Sequence, residues 1–309
     1  MQDEVENGHK FGVVAILGPP NAGKSTLMNG MLGEKVAIVT PKPQTTRNRI
    51  SGILSAPDAQ VVFMDTPGVH SYSGRMNEAL IRQAWAAAES ADAAMVVLDA
   101  DLYRRKPGAL DKETAPLLKR LSRARVPVMI VLNKIDLIGD KRELLPVMER
   151  VSEMFPDKDI YPASAATGRG MDDLLERVKT FLPQSPPMYP EDQISTVPLR
   201  FMVSEIVREK LFMALRDELP YSTAVEIESW EELPEKNLLQ IGALIYVTKP
   251  NHKGMVIGKG GKVLKEVGRQ AREEIAELMD QKVYLELWVK VRERWTEDIG
   301  FLRQMGLEE

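Results

Sequence analysis

The chain has 309 residues, 44% of them hydrophobic and 28% charged, an ordinary globular composition with apolar mass for about two domains. Forty-one Lys and Arg stand against forty-five Asp and Glu, a net charge of −4, so this is no uniformly basic coat for nucleic acid. Cysteine is absent, which excludes disulfides, thiolate metal sites and cysteine nucleophiles. The longest uncharged stretch, from Phe11 to Gly23, is too short for a membrane-spanning helix, which needs about 20 residues. The polar, acidic opening MQDEVENGHK does not read as a secretory signal, and the expectation is a cytoplasmic protein.

Short apolar runs at 12–17, 48–55, 61–64, 93–98, 128–132 and, weakly, 160–163 alternate with amphipathic stretches at 25–32, 76–90, 109–123, 141–154 and 172–181. Continuous apolar strands separated by helices predict an α/β domain over 10–182, with a mostly parallel six-stranded sheet covered on both faces. Residues 1–9 read as a flexible N-terminus. A proline-rich stretch at 183–197 supports neither a helix nor an interior strand and reads as a linker. Beyond it a helix at 201–215, strands at 222–229 and 238–248, a glycine-rich turn opening a helix that ends at 279, and an alternating strand at 282–291 predict a smaller α+β domain over 198–295. Residues 296–309 read as a C-terminal tail.

Gly18-Pro19-Pro20-Asn21-Ala22-Gly23-Lys24-Ser25-Thr26 fits G-x-x-x-x-G-K-[ST] between a predicted strand and a predicted helix. In that setting loop N–H groups and the helix N-terminus face phosphates, Lys24 reaches the β- and γ-phosphates, and the Ser25 hydroxyl binds Mg²⁺. Asp65-Thr66-Pro67-Gly68 ends the strand at 61–64. Its carboxylate suits Mg²⁺ and the Gly68 amide suits a γ-phosphate. Asn133-Lys134-Ile135-Asp136 ends the strand at 128–132. Asp136 can accept two hydrogen bonds from guanine where adenine offers no matching pair, Asn133 can bond the base edge, and the Lys134 stem can lie along its face. Ser164-Ala165-Ala166, after the sixth strand, is placed to offer N–H groups to the guanine O6.

Val256-Ile257-Gly258-Lys259-Gly260-Gly261-Lys262 has the I-G-x-G-G form of a K-homology loop, which clamps a single-stranded backbone. Residues 249–272 carry a net charge of +6, while the rest of 195–309 has ten basic against nineteen acidic residues. Charge concentrated on one stripe is the footprint of phosphate contact, with Lys253, Lys259, Lys262, Lys265 and Arg269 as candidate contacts. The three histidines, His9, His70 and His252, have no ligand spacing; His252 lies near the glycine turn.

Over residues near 10 to 295 the chain resembles the Era family of bacterial GTPases, within the translation-factor-related P-loop class. The resemblance extends to Pro43-Gln44-Thr45-Thr46-Arg47, similar to that family's first switch. It implies a GTP-hydrolysing switch in which Thr46, with Thr45 as the alternative, completes the Mg²⁺ shell. The catalytic set is then Lys24, Ser25, Thr46, Asp65 and Gly68. Val69 stands where Ras-type enzymes place a glutamine, and the family shares this hydrophobic residue, implying slow hydrolysis. Asn21 matches relatives that use K⁺. The resemblance further implies a type II K-homology domain, binding to the 3′ end of 16S ribosomal RNA, and a role in 30S subunit assembly. It leads us to expect a monomer with GTP and GDP as ligands, no DNA partner, and a peripheral fraction at the inner face of the membrane. Two competing expectations stay open: a nucleotide-stabilised RNA scaffold with negligible turnover, and a GTPase whose second domain binds protein or membrane.

Overall fold

The computed structural model describes residues 8–69, 74–121 and 126–308. They form two compact units, one within 1–37, 46–73 and 77–196, the other within 38–45, 74–76 and 197–309.

In the first unit, β1 (Lys10–Leu17) leads through a tight loop into α1 (Lys24–Leu32). Next come β2 (Ile50–Ala56), β3 (Ala59–Asp65), α2 (Arg75–Glu89) and β4 (Ala93–Asp99). A short α3 (Ala100–Arg105) and α4 (Pro107–Leu121) precede β5 (Val128–Asn133), and α5 (Leu145–Met154), β6 (Ile160–Pro162) and α6 (Met171–Phe181) close the unit. Every residue of β3 and β5 is buried, as expected for strands covered on both faces. The sheet runs β2-β3-β1-β4-β5-β6, and only β2 pairs antiparallel. Strand order reverses beside β1, which lies between β3 and β4; in such sheets the crevice outside the carboxyl ends holds the ligand.

Two differences from the sequence expectation have local causes. The helix expected at 109–123 begins at Pro107 and is preceded by α3, because Asp99 caps a new turn by accepting the Leu102 N–H while Pro107 starts a second helix at its first position. The helix expected at 141–154 opens as a 3-10 turn, and its α-helical part starts beside Pro146. The proline-rich stretch lies along the first unit. The Gln60 amide bonds the backbone of Met188 and Tyr189, and Ile53 N–H donates to Ile194 O.

The second unit contains α7 (Leu199–Ala214), β7 (Thr223–Leu233), β8 (Leu238–Val247), α8 (Pro250–Ile257), α9 (Lys262–Met279), β9 (Lys282–Val291) and α10 (Ile299–Gln304). Its sheet runs β7-β8-β9, with β8 antiparallel to β7 and parallel to β9. One face meets α7 and α9 through Val203, Val207, Leu211, Val267, Ala271 and Ile275. The glycine turn, left-handed at Gly260 and Gly261, opens α9 where the sequence places a helix, and α8 before it is an additional helix that the sequence reading does not contain. The expected tail holds α10, whose Phe301 is fully buried against Tyr246 and Trp295 at centroid distances of 4.8 and 5.8 Å. Among the described residues no helix is long and apolar enough to cross a membrane.

Candidate nucleotide and RNA sites

The loop 18–23 turns so tightly that backbone geometry selects its glycines. Gly18 and Gly23 have φ of 146° and 93°, and a Cβ would lie 2.2 Å from Val97 O at the first and 2.3 Å from Asn133 Nδ2 at the second. Lys24 is buried and curls over the loop, donating to Gly18 O at 3.1 Å and Pro19 O at 2.9 Å. Burial pulls its pKa down to about 8, against the opposing pull of Asp65. An ammonium held by carbonyls in a water-poor loop is poised for stronger anionic partners.

Ser25 Oγ donates to Asp65 Oδ2 at 2.5 Å, and Thr46 Oγ1 lies 2.9 Å from Ser25 Oγ and 3.1 Å from Asp65 Oδ2. Of the two candidate threonines, Thr46 is the one in this cluster; Thr45 Oγ1 instead bonds Lys42 O and Thr40 Oγ1. Asp65 is fully buried, its other oxygen has no hydrogen-bond partner, and burial raises its pKa even though Lys24 opposes this. Two hydroxyls and a carboxylate with a spare oxygen fit Mg²⁺, a hard cation that takes one or two protein carboxylates plus substrate phosphates. Thr66 Oγ1 donates to Ile16 O, and Val69 N–H to Gly18 O, so the Asp65–Gly68 segment is stitched to β1 and its loop. The Val69 side chain is buried and carries no polar atom. His70 lies outside the described residues.

The guanine candidates converge from the ends of β5 and β6. Asp136 is exposed, and its Oδ1 accepts from the buried Ser164 hydroxyl at 2.6 Å, which aims the carboxylate. Asn133, read from the sequence as a base contact, is engaged within the protein through both ends of its amide. Its Nδ2 donates to Ala22 O and its Oδ1 accepts the Ala165 N–H, both at 2.9 Å, so it braces the phosphate loop against the 164–166 turn. That bond also occupies one of the N–H groups expected to face guanine, while Ala166 is exposed. Lys134 donates to Asn21 O at 2.5 Å and to Asp99 Oδ2 at 2.6 Å. Asp99 is not among the sequence candidates, although it carries the signature that singles out Asp65, an acid ending a buried apolar strand.

In the second unit Gly258, Lys259, Gly260 and Gly261 form the turn between α8 and α9. Gly258 has φ 73°, and a Cβ there would meet Val263 Cγ2 at 2.5 Å. Val256 is buried and Ile257 partly buried beneath the turn, so both support it from the core. Lys253, Lys259, Lys262 and Lys265 are exposed around it. Arg269 is exposed as well and pairs with Glu266 and Glu273 at 2.6 and 2.7 Å. His252 faces Ser222 and Thr248 through Nδ1.

A family model described as a 50S ribosome-binding GTPase matches residues 13–134, and a KH domain model matches residues 218–296. GTPase Era of Nitratidesulfovibrio vulgaris (strain DP4) is 58% identical over 97% of both chains, and that of Geobacter metallireducens is 44% identical over 97% of this chain and 99% of its own. A crystal structure of Era with MgGDPNP and nucleotides 1506–1542 of 16S ribosomal RNA is 38% identical with a TM-score of 0.88, covering 97% of this chain and 100% of that one. An Aquifex aeolicus Era variant bound to GDP·AlF₄⁻ is 37% identical with a TM-score of 0.87, at the same coverage.

Proposed function

This chain belongs to the Era family of GTPases, and from that premise we propose that it couples slow GTP hydrolysis to binding of the 3′-terminal region of 16S ribosomal RNA during 30S subunit assembly. The observation that supports this most strongly is the likeness, over 97% of the chain, to an Era that holds a magnesium-bound GTP analogue and that RNA together.

The chemistry follows from the residues. Ser25, Thr46 and Asp65 would hold Mg²⁺, which would supply positive charge against the phosphates. Lys24, an ammonium held by two carbonyls, exchanges them for phosphate oxygens and stabilises the transferring phosphoryl group. Asp136, aimed by Ser164, reads the guanine edge. The Gly68 amide senses the γ-phosphate. Val69 cannot orient water, and slow turnover follows. In the second unit the Gly258–Gly261 turn lets phosphates approach the main chain while the exposed lysines supply charge. A cytoplasmic location is part of the same proposal.

Sequencing of RNA crosslinked to the protein in cells tests the target. Enrichment at the 3′ end of 16S RNA is expected; enrichment in large-subunit RNA instead, the particle that the GTPase-domain family is described as binding, overturns it. Steady-state phosphate release from GTP separates the switch from a scaffold without turnover.

A further inference from the structure

We infer that Asp99 is a positioning residue for the guanine nucleotide, acting through Lys134. The inference rests on the reading of 133–136 as the guanine site. β4 and β5 are parallel neighbours in which Asp99 pairs with Asn133, so their carboxyl ends set Asp99 beside the residue that follows Asn133. The two oxygens of Asp99 have separate tasks. Oδ1 accepts the Leu102 N–H at 2.9 Å and fixes the carboxylate at the first turn of α3. Oδ2 accepts the Lys134 ammonium at 2.6 Å.

The same ammonium donates to the carbonyl of Asn21, so one cation ties the end of β4 to the phosphate loop. Lys134 itself has φ 67°, a left-handed conformation that a non-glycine residue adopts only when its surroundings hold it. With its backbone and its tip both fixed, its aliphatic stem is held against the phosphate loop, its Cε 3.9 Å from where a Cβ on Gly23 would stand. The pair is partly shielded, with side-chain exposures of 29% for Lys134 and 13% for Asp99, and a charge-assisted bond there exceeds an ordinary surface ion pair. Glu113, the other acid near Lys134, accepts the Tyr103 hydroxyl, and the carboxylate that the lysine meets directly is Asp99. Removing Asp99 frees the tip of Lys134 and loosens the loop and the purine platform together.

The test is the dissociation rate of a fluorescent GDP analogue from the full chain. Asparagine caps a helix as well as aspartate, so Asp99→Asn keeps the α3 cap and removes only the charge, whereas Asp99→Ala removes both. Both variants are expected to release nucleotide about tenfold faster than wild type, a step that corresponds to loss of one charge-assisted bond. The double variant Asp99→Asn/Lys134→Met is expected to release it no faster than Lys134→Met alone, since both act through one contact. The thermal midpoint of nucleotide-free protein should fall further for Asp99→Ala, which loses the helix cap as well as the ion pair, than for Asp99→Asn, which loses only the ion pair. Acceleration below threefold in Asp99→Asn, acceleration in Asp99→Ala only, or multiplying effects in the double variant each overturn the proposal. If wild type retains GDP no longer than ADP, the guanine-site reading falls as well, a failure distinct from the others.

Discussion

An ammonium taken out of water binds its proton less tightly, and Lys24 is 6% exposed with only carbonyls as direct partners. The sign of the resulting pH dependence follows from linkage. Lys24 keeps its proton up to the ordinary lysine value of 10.5 when unfolded but only up to about 8 when folded. Its burial therefore costs stability in full below pH 8, and the cost fades as pH climbs from 8 towards 10.5. In nucleotide-free protein the urea-unfolding free energy of wild type, relative to Lys24→Met, should rise across that window by up to about 1.4 kcal/mol per pH unit. Bound GDP should flatten the slope by supplying phosphate counter-charge; a flat difference without nucleotide would contradict the assignment. Asp136 supports a second prediction at this scale. Replacing its carboxylate by an amide puts a donor where guanine also presents donors, whereas xanthine offers a carbonyl. Asp136→Asn should weaken GDP binding by about a hundredfold or more and favour xanthosine diphosphate, read by competition against labelled GDP.

At the scale of elements, α7 is the least legible part of the chain. Its run from Val203 to Glu209 is buried without interruption, including the charged Glu205, Arg208 and Glu209. Helical periodicity assigns charged residues to a solvated face, so nothing in the sequence marks these three. Arg208 meets Glu205 through two bonds, Nε to Oε1 at 2.7 Å and Nη2 to Oε2, and also donates to Thr45 O within the same compact unit. A buried ion pair is fragile when halved, because the remaining charge has lost its compensation. Arg208→Met should cost about 3–5 kcal/mol in urea unfolding, and adding Glu205→Leu should recover most of it. If the double variant is no more stable than the single one, packing around Arg208 rather than the stranded charge explains the loss. The missed helices have plainer causes. Pro107 divides α3 from α4, and Gly254 weakens the helical pattern of α8. α10 is six residues long and is held by tertiary contacts of Phe301 rather than by its own propensity.

At the scale of the whole molecule, the strands of the first sheet and the phosphate loop are readable because both are local: apolar runs make buried strands, and two glycines and a lysine at fixed spacing make a loop that only those residues can form. The partners of each site residue are not readable, since they depend on which strand ends become neighbours. That is why Asn133 reads as a base contact yet braces two loops, and why Arg269 reads as an available cation yet is held by two glutamates. Beside that paired arginine, four exposed lysines, Lys253, Lys259, Lys262 and Lys265, surround the glycine turn. Each phosphate neutralised on a single strand contributes about −0.7 to the slope of log affinity against log salt, so four contacts give a slope of about −3. Lys262→Glu should make that slope shallower by about 0.7, while Arg269→Gln should leave it almost unchanged. Gly260 has φ 61° and open space within 4 Å of where a Cβ would stand, and aspartate tolerates that conformation better than most residues. Gly260→Asp should therefore fold while setting a carboxylate where phosphate must lie. Gel shifts with a single-stranded 16S 3′-terminal RNA across a salt series should show at least about a tenfold loss for Gly260→Asp at every salt concentration. An equal loss in Arg269→Gln would instead mean that the bound RNA displaces Glu266 and Glu273 from the arginine.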